Sequence, residues 1–293
     1  MKHAALLAAL VTTGCASNLA QMQTARALEP GQLRMSGGVG WYVPAGQIAA
    51  VAGDGIEVAK QEIKAELNNT EYDISQADKR KIAINSVALA AMNPYPNVHL
   101  DARIGILPRV DVGLRYSIDA VRADAKWNFF HDGPNDPEDG LPRKSKDIAI
   151  GFIVSKQLFS PAVGDMMGMI RLDNFNRWDF EVPLYFSIDV SRYFGVYGAG
   201  RYRYTTMTFD QHVSTKTDCG CGDGPKTTIV SSASRMQSHF YGATAGMRVG
   251  SARFSWMLEI TVGHTQAKTE LLGEVVELGG LTFYPATGIA LTF

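Results

Sequence analysis

An all-β fold is predicted, specifically a closed antiparallel transmembrane β-barrel of about ten strands with a helical insert between strands 1 and 2. Three observations in the 293 residues predict it. First, apolar and polar residues alternate along most of the chain, the period-2 signature of strands with one apolar and one polar face. Second, the polar faces carry nearly balanced charges, as expected of a narrow interior where buried ions must pair. Third, Trp41, Tyr42, Trp127, Phe129, Tyr202, Tyr204 and Phe293 fall near strand ends, where interfacial aromatic girdles sit.

The final run, Gly279 to Phe293, shows the alternation most plainly. Phe293, Leu291, Ile289, Thr287, Pro285, Phe283 and Leu281 share one parity; Thr292, Ala290, Gly288, Ala286, Tyr284 and Thr282 share the other. Earlier runs follow the same rule. Leu33, Met35, Val39, Trp41 and Val43 form the first strand; Val98 to Ile106 and Val110 to Ile118 the next two, joined at Pro108-Arg109. Ala123 to Phe129, Ile148 to Val154, Phe180 to Val190 and Val196 to Thr206 follow. His239 to Gly250 and Ala252 to Gln266 make a hairpin around Ser251. Between these lie stretches read as loops: Gly133 to Gly140 (GPNDPEDG), Leu158 to Arg177, and a long loop over 207–235.

By this register the interior charges are Arg34, Asp101, Arg103, Asp111, Arg115, Asp119, Asp124, Lys126, Glu181, Asp189, Arg201, Arg203, Arg248, Arg253 and Glu259. They serve either as mutually paired ions filling a small lumen or as selectivity elements of an aqueous pore.

Residues 45–93 differ from the rest. Ile56, Ala59, Ile63 and Leu67 recur at helical spacing, and Ser75 to Met92 suits a second amphipathic helix. Such a pair either plugs the barrel mouth or packs against itself outside.

Composition narrows the function classes. A hydrophobic fraction of 46% excludes a disordered chain. No run of eighteen apolar residues occurs, which excludes a helical span. Residues 1–14 read as an export signal, with Lys2 ahead of the apolar Ala4 to Val11. Losing them removes Lys2 alone, taking the formal net charge from −1 to −2, so no field for nucleic acid exists. Cys219 and Cys221 would pair in an oxidising envelope or remain two exposed thiols. No cofactor motif or metal-ligand spacing is present. His99, Asp101, Ser238, Ser255 and His264 supply raw material for a hydrolase, but no motif joins them.

Two short motifs carry a resemblance to bacterial outer-membrane β-barrel lipoproteins. The chain ends on an aromatic, with Gly288, Leu291 and Phe293 at the spacing of the barrel-assembly signal, and Thr12-Thr13-Gly14-Cys15 resembles the lipoprotein box. The resemblance implies lipidation of Cys15, a periplasmic tether over 15–31, and a barrel over 32–293. It implies an outer-membrane location with the N-terminus lipid-anchored on the periplasmic side. Expected partners are outer-membrane lipid, the barrel-assembly and lipoprotein-sorting machinery, and an envelope protein partner of unknown identity. The expected role is a surface scaffold or interaction protein; the alternatives are a porin-like passive channel for small polar solutes or ions, and an outer-membrane hydrolase.

Overall fold

A computed structural model describes residues 18–46, 48–50, 52–53, 56–57, 60–61, 95–117, 119–133, 144–158, 170–217, 226–251, 253–271 and 274–293. The expected signal segment, Cys15, the expected second helix of the insert, the 134–140 part of the acidic loop and the pair Cys219 and Cys221 lie outside these residues.

Ten strands form: β1 (Leu33–Tyr42), β2 (Tyr95–Leu107), β3 (Val110–Ser117), β4 (Ala120–Asp132), β5 (Ser145–Gln157), β6 (Ile170–Asp189), β7 (Phe194–Thr217), β8 (Lys226–Gly250), β9 (Phe254–Leu271) and β10 (Glu274–Thr292). Each pairs antiparallel with its sequence neighbours, and β1 pairs with β10, so the sheet closes into a barrel without an edge. At that seam Gly38 faces Gly288 and Met35 faces Leu291. Closure satisfies every strand's ladder internally, the condition for surviving in lipid.

Alternation decides which side chains meet lipid and which meet the lumen. On β2, Val98, Leu100, Ile104 and Ile106 are exposed on the outer face, whereas His99, Asp101 and Arg103 are buried inside. On β6, Val182, Leu184 and Phe186 face out and Glu181, Tyr185 and Ser187 face in. A soluble barrel has the opposite polarity, so the exposed apolar rows mark a membrane barrel. Tyr202, Tyr241 and Trp41 lie toward one end of this exterior and Trp127, Phe254, Trp256 and Phe293 toward the other. Tyr42 points inward instead, 6% exposed, on the opposite parity to Trp41.

The two ends differ. The near end, which carries Leu33 and Phe293, has short turns at 108–109, 190–193 and 251–253, together with the connection 133–144. The far end carries the connections 43–94, 158–169 and 218–225 and the short ones at 118–119 and 272–273. Strands β6 to β10 are 18 to 25 residues long, against 8 to 13 for β1 to β5. Their extra length lies at the far end, where Thr217 pairs with Lys226 and Leu271 with Glu274.

This extension corrects two expected loops. β6 begins at Ile170, inside the stretch 158–177, and β7 and β8 stay paired through most of 207–235. Strand pairing beyond an apolar band meets water on both faces, so its sequence loses the alternation that marks a strand.

The described residues of 45–61 are helical, as the spacing predicts, but from Ile48 onward they are exposed. They do not fill the lumen. That place is taken by the segment expected to be a tether: Leu19, Ala20, Gln21, Met22, Gln23 and Ala25 are all 3% exposed or less, inside the barrel.

Candidate functional site

The N-terminal segment enters at the near end and climbs toward the far end as it is traced backward. Gly31 donates its N–H to the Gly105 carbonyl at 2.8 Å, and Pro30 bridges to the same residue. Approach here is close, because a Cβ on Gly105 would run into the Glu29 carbonyl. Leu28 N–H then reaches Asp111 on β3 at 3.1 Å, and Ala25 N–H reaches Ser187 Oγ on β6 at 3.1 Å. At the top, Asn18 Nδ2 donates to Asn97 Oδ1 at 2.8 Å and to Ser117 Oγ at 3.4 Å. Asn97 is near the start of β2 and Ser117 ends β3, so Asn18 sits at the far mouth.

The lumen wall has two characters, and the segment lies between them. Strands β2 to β7 supply charge. Arg103 bridges Asp111 and Asp124, Lys126 stands 3.3 Å from Asp111, and Arg115 Nε donates to Asp101 at 3.2 Å. Glu181 accepts from Arg201 Nε and Arg203 Nε, each at 2.8 Å. The opposite wall, mostly β8 to β10 with Tyr42 and Tyr197, is largely apolar or hydroxylic, with Met236, Phe240, Met257, Tyr284, Thr261, Thr265 and Thr282 around the buried carboxylate of Glu259. Leu19, Ala20 and Met22 join the apolar cluster with Met257, Phe240 and Tyr284.

The charged wall grips the segment through its backbone. Arg203 donates to the Asn18 carbonyl at 3.1 Å, Arg201 to that of Leu19, Arg115 and Arg122 to that of Ala20, and Arg115 again to that of Gln21 at 2.9 Å. Lys126 bonds the Thr24 and Arg26 carbonyls, both at 2.9 Å, and Asn128 that of Ala25 at 3.1 Å. From the other side Glu259 accepts the N–H groups of Gln21 at 2.6 Å and Met22 at 2.8 Å. Met22 is left-handed, with φ of 50°, which turns the two consecutive donors onto one carboxylate. Gln21 also donates to Glu181 at 2.7 Å and accepts from the Tyr185 hydroxyl at 2.9 Å. Charged side chains that would otherwise repel or lack partners are therefore satisfied by main-chain dipoles.

The register places Asp101, Arg103, Asp111, Arg115, Asp124, Lys126, Glu181, Arg201, Arg203 and Glu259 in the lumen, all buried. Arg34 is half-buried with Nη2 3.0 Å from Met257 Sδ, and Asp189 pairs with Arg248 at 2.8 Å near the near end. Two expected interior charges lie elsewhere. Asp119 is in the far-end turn, accepting from Asn97 at 3.3 Å, and Arg253 is exposed in the 251–253 turn, because β9 begins one residue later.

Sequence reasoning missed Arg122, Asp147, Arg177 and Asp179. Arg122 lies just after a turn and starts the inward parity of β4 that Asp124 continues, a signal that was present. Asp147, inward on β5 and bonded to Asn128 at 2.9 Å and His131 at 2.7 Å, likewise follows the parity of that strand.

The hydrolase residues are not brought together. Ser238 and Ser255 are buried in the lumen while His264 is on the outer face. Asp101 bonds Arg115, and neither ring nitrogen of the buried His99 has a partner among the described residues. Nor do the described residues include a group of His, Cys, Asp and Glu able to hold a metal.

No family model matches the chain, and no curated protein matches it. Similar solved structures include Ail, the attachment invasion locus protein of Yersinia pestis, at 12% identity and a TM-score of 0.30 over 90% of this chain and 100% of that one. The outer membrane protease OmpT from Escherichia coli is similar at 8% identity and a TM-score of 0.38, over 92% of this chain and 100% of that one. The Pseudomonas putida toluene transporter TodX is similar at 7% identity and a TM-score of 0.28, over 96% and 94%. At such identities and scores none of them bears on what this chain does, which rests on its own geometry.

Proposed function

We propose that the chain is an outer-membrane barrel that closes its own lumen and works through its far-end surface, as a scaffold or interaction protein. The observation that carries this reading is the seating of Asn18 to Leu28 across the interior, held by both walls. Beside Asn18 at the far mouth, a cavity of about 20 Å³ is lined by Arg115, Ser117, Asp119 and Arg203. That pocket has space for roughly one water molecule, and the larger cavity of about 230 Å³ beside Arg26, Leu28 and Asp147 lies at the near end, below the seated segment. The barrel's rigid part is thus a support for the long β6 to β10 extension and for the connections at the same end. Loops held on such a support are where recognition is usually carried.

The orientation follows from the ends. Barrels of this class keep short turns in the periplasm and longer connections outside; the three short near-end turns and the long far-end connection 43–94 support a periplasmic near end and a far end at the cell surface. Gly288, Leu291 and Phe293, on the last strand and beside the closing seam, suit the role of assembly signal.

Reconstitution of the whole exported chain in planar bilayers tests the closed lumen. Silence at moderate voltage is expected. Steady unitary currents from the intact protein would instead favour the porin-like reading, with the lumen charges acting on permeant ions.

A further inference from the structure

Resting on the outer-membrane orientation above, we infer that the exported chain carries its N-terminus through its own lumen to the cell surface. The expected anchor on the periplasmic side requires the chain to run from the near end outward into the periplasm. It runs the other way. Gly31 is fixed to Gly105 at the near end, Leu28 to Asp111 next, Ala25 to Ser187 above it, and Asn18 to Asn97 and Ser117 at the far mouth. The direction is not a matter of one contact. Arg203 and Tyr284, from opposite walls, both bond Asn18, the first through its carbonyl and the second through its side chain at 3.3 Å.

Chain length then decides the side. Cys15 precedes Asn18 by three residues, which span at most about 10 Å when fully extended. An apolar band is roughly 25 Å tall, and the lumen below Asn18 is already occupied by the segment itself. A chain beginning at or near Cys15 therefore has no route back to the periplasmic face. Its first residue is at the surface whether it carries a free amine or an acyl-modified cysteine. In the second case the acyl chains enter the outer leaflet, the opposite one from that expected of a periplasmic tether. The polar far mouth, with Asn18, Ser117, Asp119 and Arg203 around it, is an exit of the right chemistry for a chain passing into water.

The test uses the full-length protein in intact cells, with a short peptide epitope placed between Ala16 and Ser17. Two reference insertions are made, one in the 190–193 turn at the near end and one between Leu271 and Glu274 at the far end. Antibody labelling of intact cells is expected for the N-terminal and far-end epitopes alike, and only after permeabilisation for the near-end one. Labelling of the far-end epitope on intact cells, with the N-terminal epitope reached only after permeabilisation, overturns the inference and leaves the membrane orientation standing. A far-end epitope hidden on intact cells overturns both. Should the N-terminal insertion block assembly, seen as loss of heat-modifiable gel mobility, the single change Ser17→Cys replaces it. Made in a chain also carrying C219S and C221S, it is read with a membrane-impermeant maleimide and carries the same two outcomes.

Discussion

The Glu259 carboxylate on β9 accepts the backbone N–H of Met22 at 2.8 Å, across 237 residues of sequence, and turns one wall of the barrel into a clamp for the N-terminal segment. Its other oxygen holds the N–H of Gln21 at 2.6 Å, while the Tyr197 hydroxyl donates to the same oxygen as Met22, at 3.1 Å. Each charge-assisted bond of this kind contributes on the order of 1.5–3 kcal/mol. Glu259→Ala leaves two buried backbone donors and the Tyr197 hydroxyl without this acceptor. Amide exchange at Gln21 and Met22 is expected to accelerate by at least about tenfold, while the β2–β3 hairpin amides stay protected. Unchanged exchange at Gln21 and Met22 would show that the segment is held by its carbonyl contacts alone.

Deleting residues 18–28 removes the carbonyl acceptors of Arg115, Arg201, Arg203 and Lys126 at one stroke. The wall retains its own ion pairs, Arg103 with Asp111 and Asp124 and Glu181 with Arg201 and Arg203, so the barrel is expected to close. Water replaces the segment, and the deleted protein should conduct ions in planar bilayers where the full chain does not. A deleted chain that retains heat-modifiable mobility yet stays silent would mean that the wall side chains collapse inward and fill the space themselves.

How much of this was legible in the sequence depends on where each residue's partner lies. Leu100 and Arg103 were readable because a strand's period of two sends them to opposite faces whatever the neighbours are. The closing seam was readable for the same reason, from Leu281 to Phe293. The luminal segment was not. Asn18 to Leu28 is held chiefly by its carbonyl and N–H groups, which every residue has, so its side chains need no period; its large apolar residues, Leu19, Met22 and Leu28, mark no face. The β7–β8 extension was hidden differently, since Asp210 to Thr217 pairs with Lys226 to Ala233 along the backbone while the sequence there has no two-sided alternation. Arg122 was lost because the strand after the turn was started at Ala123, three residues later than Ala120 where β4 begins.

Glu181 is the shared acceptor of two guanidinium groups and of the Gln21 amide. Removing one member of a buried ionic network costs roughly 3–5 kcal/mol, because the charges left behind have neither partner nor water. Glu181→Gln should therefore lower the urea midpoint of unfolding more than Asp189→Asn, whose partner Arg248 is only partly buried. The midpoint is read from the disappearance of the heat-modifiable band. Equal shifts for the two variants would indicate that water reaches Glu181 and that the segment does not seal the lumen there.

Gly105 is the hinge over which the chain enters the barrel. A side chain there meets the Glu29 carbonyl and the backbone at Leu28, which cannot move aside as a flexible side chain can. Gly105→Val is expected to unseat the lower part of the segment, Leu28 N–H with Asp111 first, and leave the ladder between β2 and β3 intact. Limited proteolysis of purified folded protein should then cut between Ala25 and Gln32 at least about tenfold faster than in the parent chain. Parent-like resistance would require the wall to shift outward around the new side chain.

Leu100, 65% exposed near the middle of β2, discriminates between lipid and water outside the barrel. In lipid, Leu100→Arg places a charge in the apolar band at a cost of about 2–4 kcal/mol if near its midplane. In water the same change removes an exposed apolar group and is neutral or mildly favourable. The substitution touches no luminal group, because its neighbours Gly37 and Tyr116 in the register share its outward parity. Folding into phospholipid vesicles should therefore lose at least about twentyfold in equilibrium constant for Leu100→Arg, with Leu100→Phe near parental. A Leu100→Arg chain that folds as well as the parent would remove lipid from around this strand, and with it the outward-apolar reading of the whole barrel.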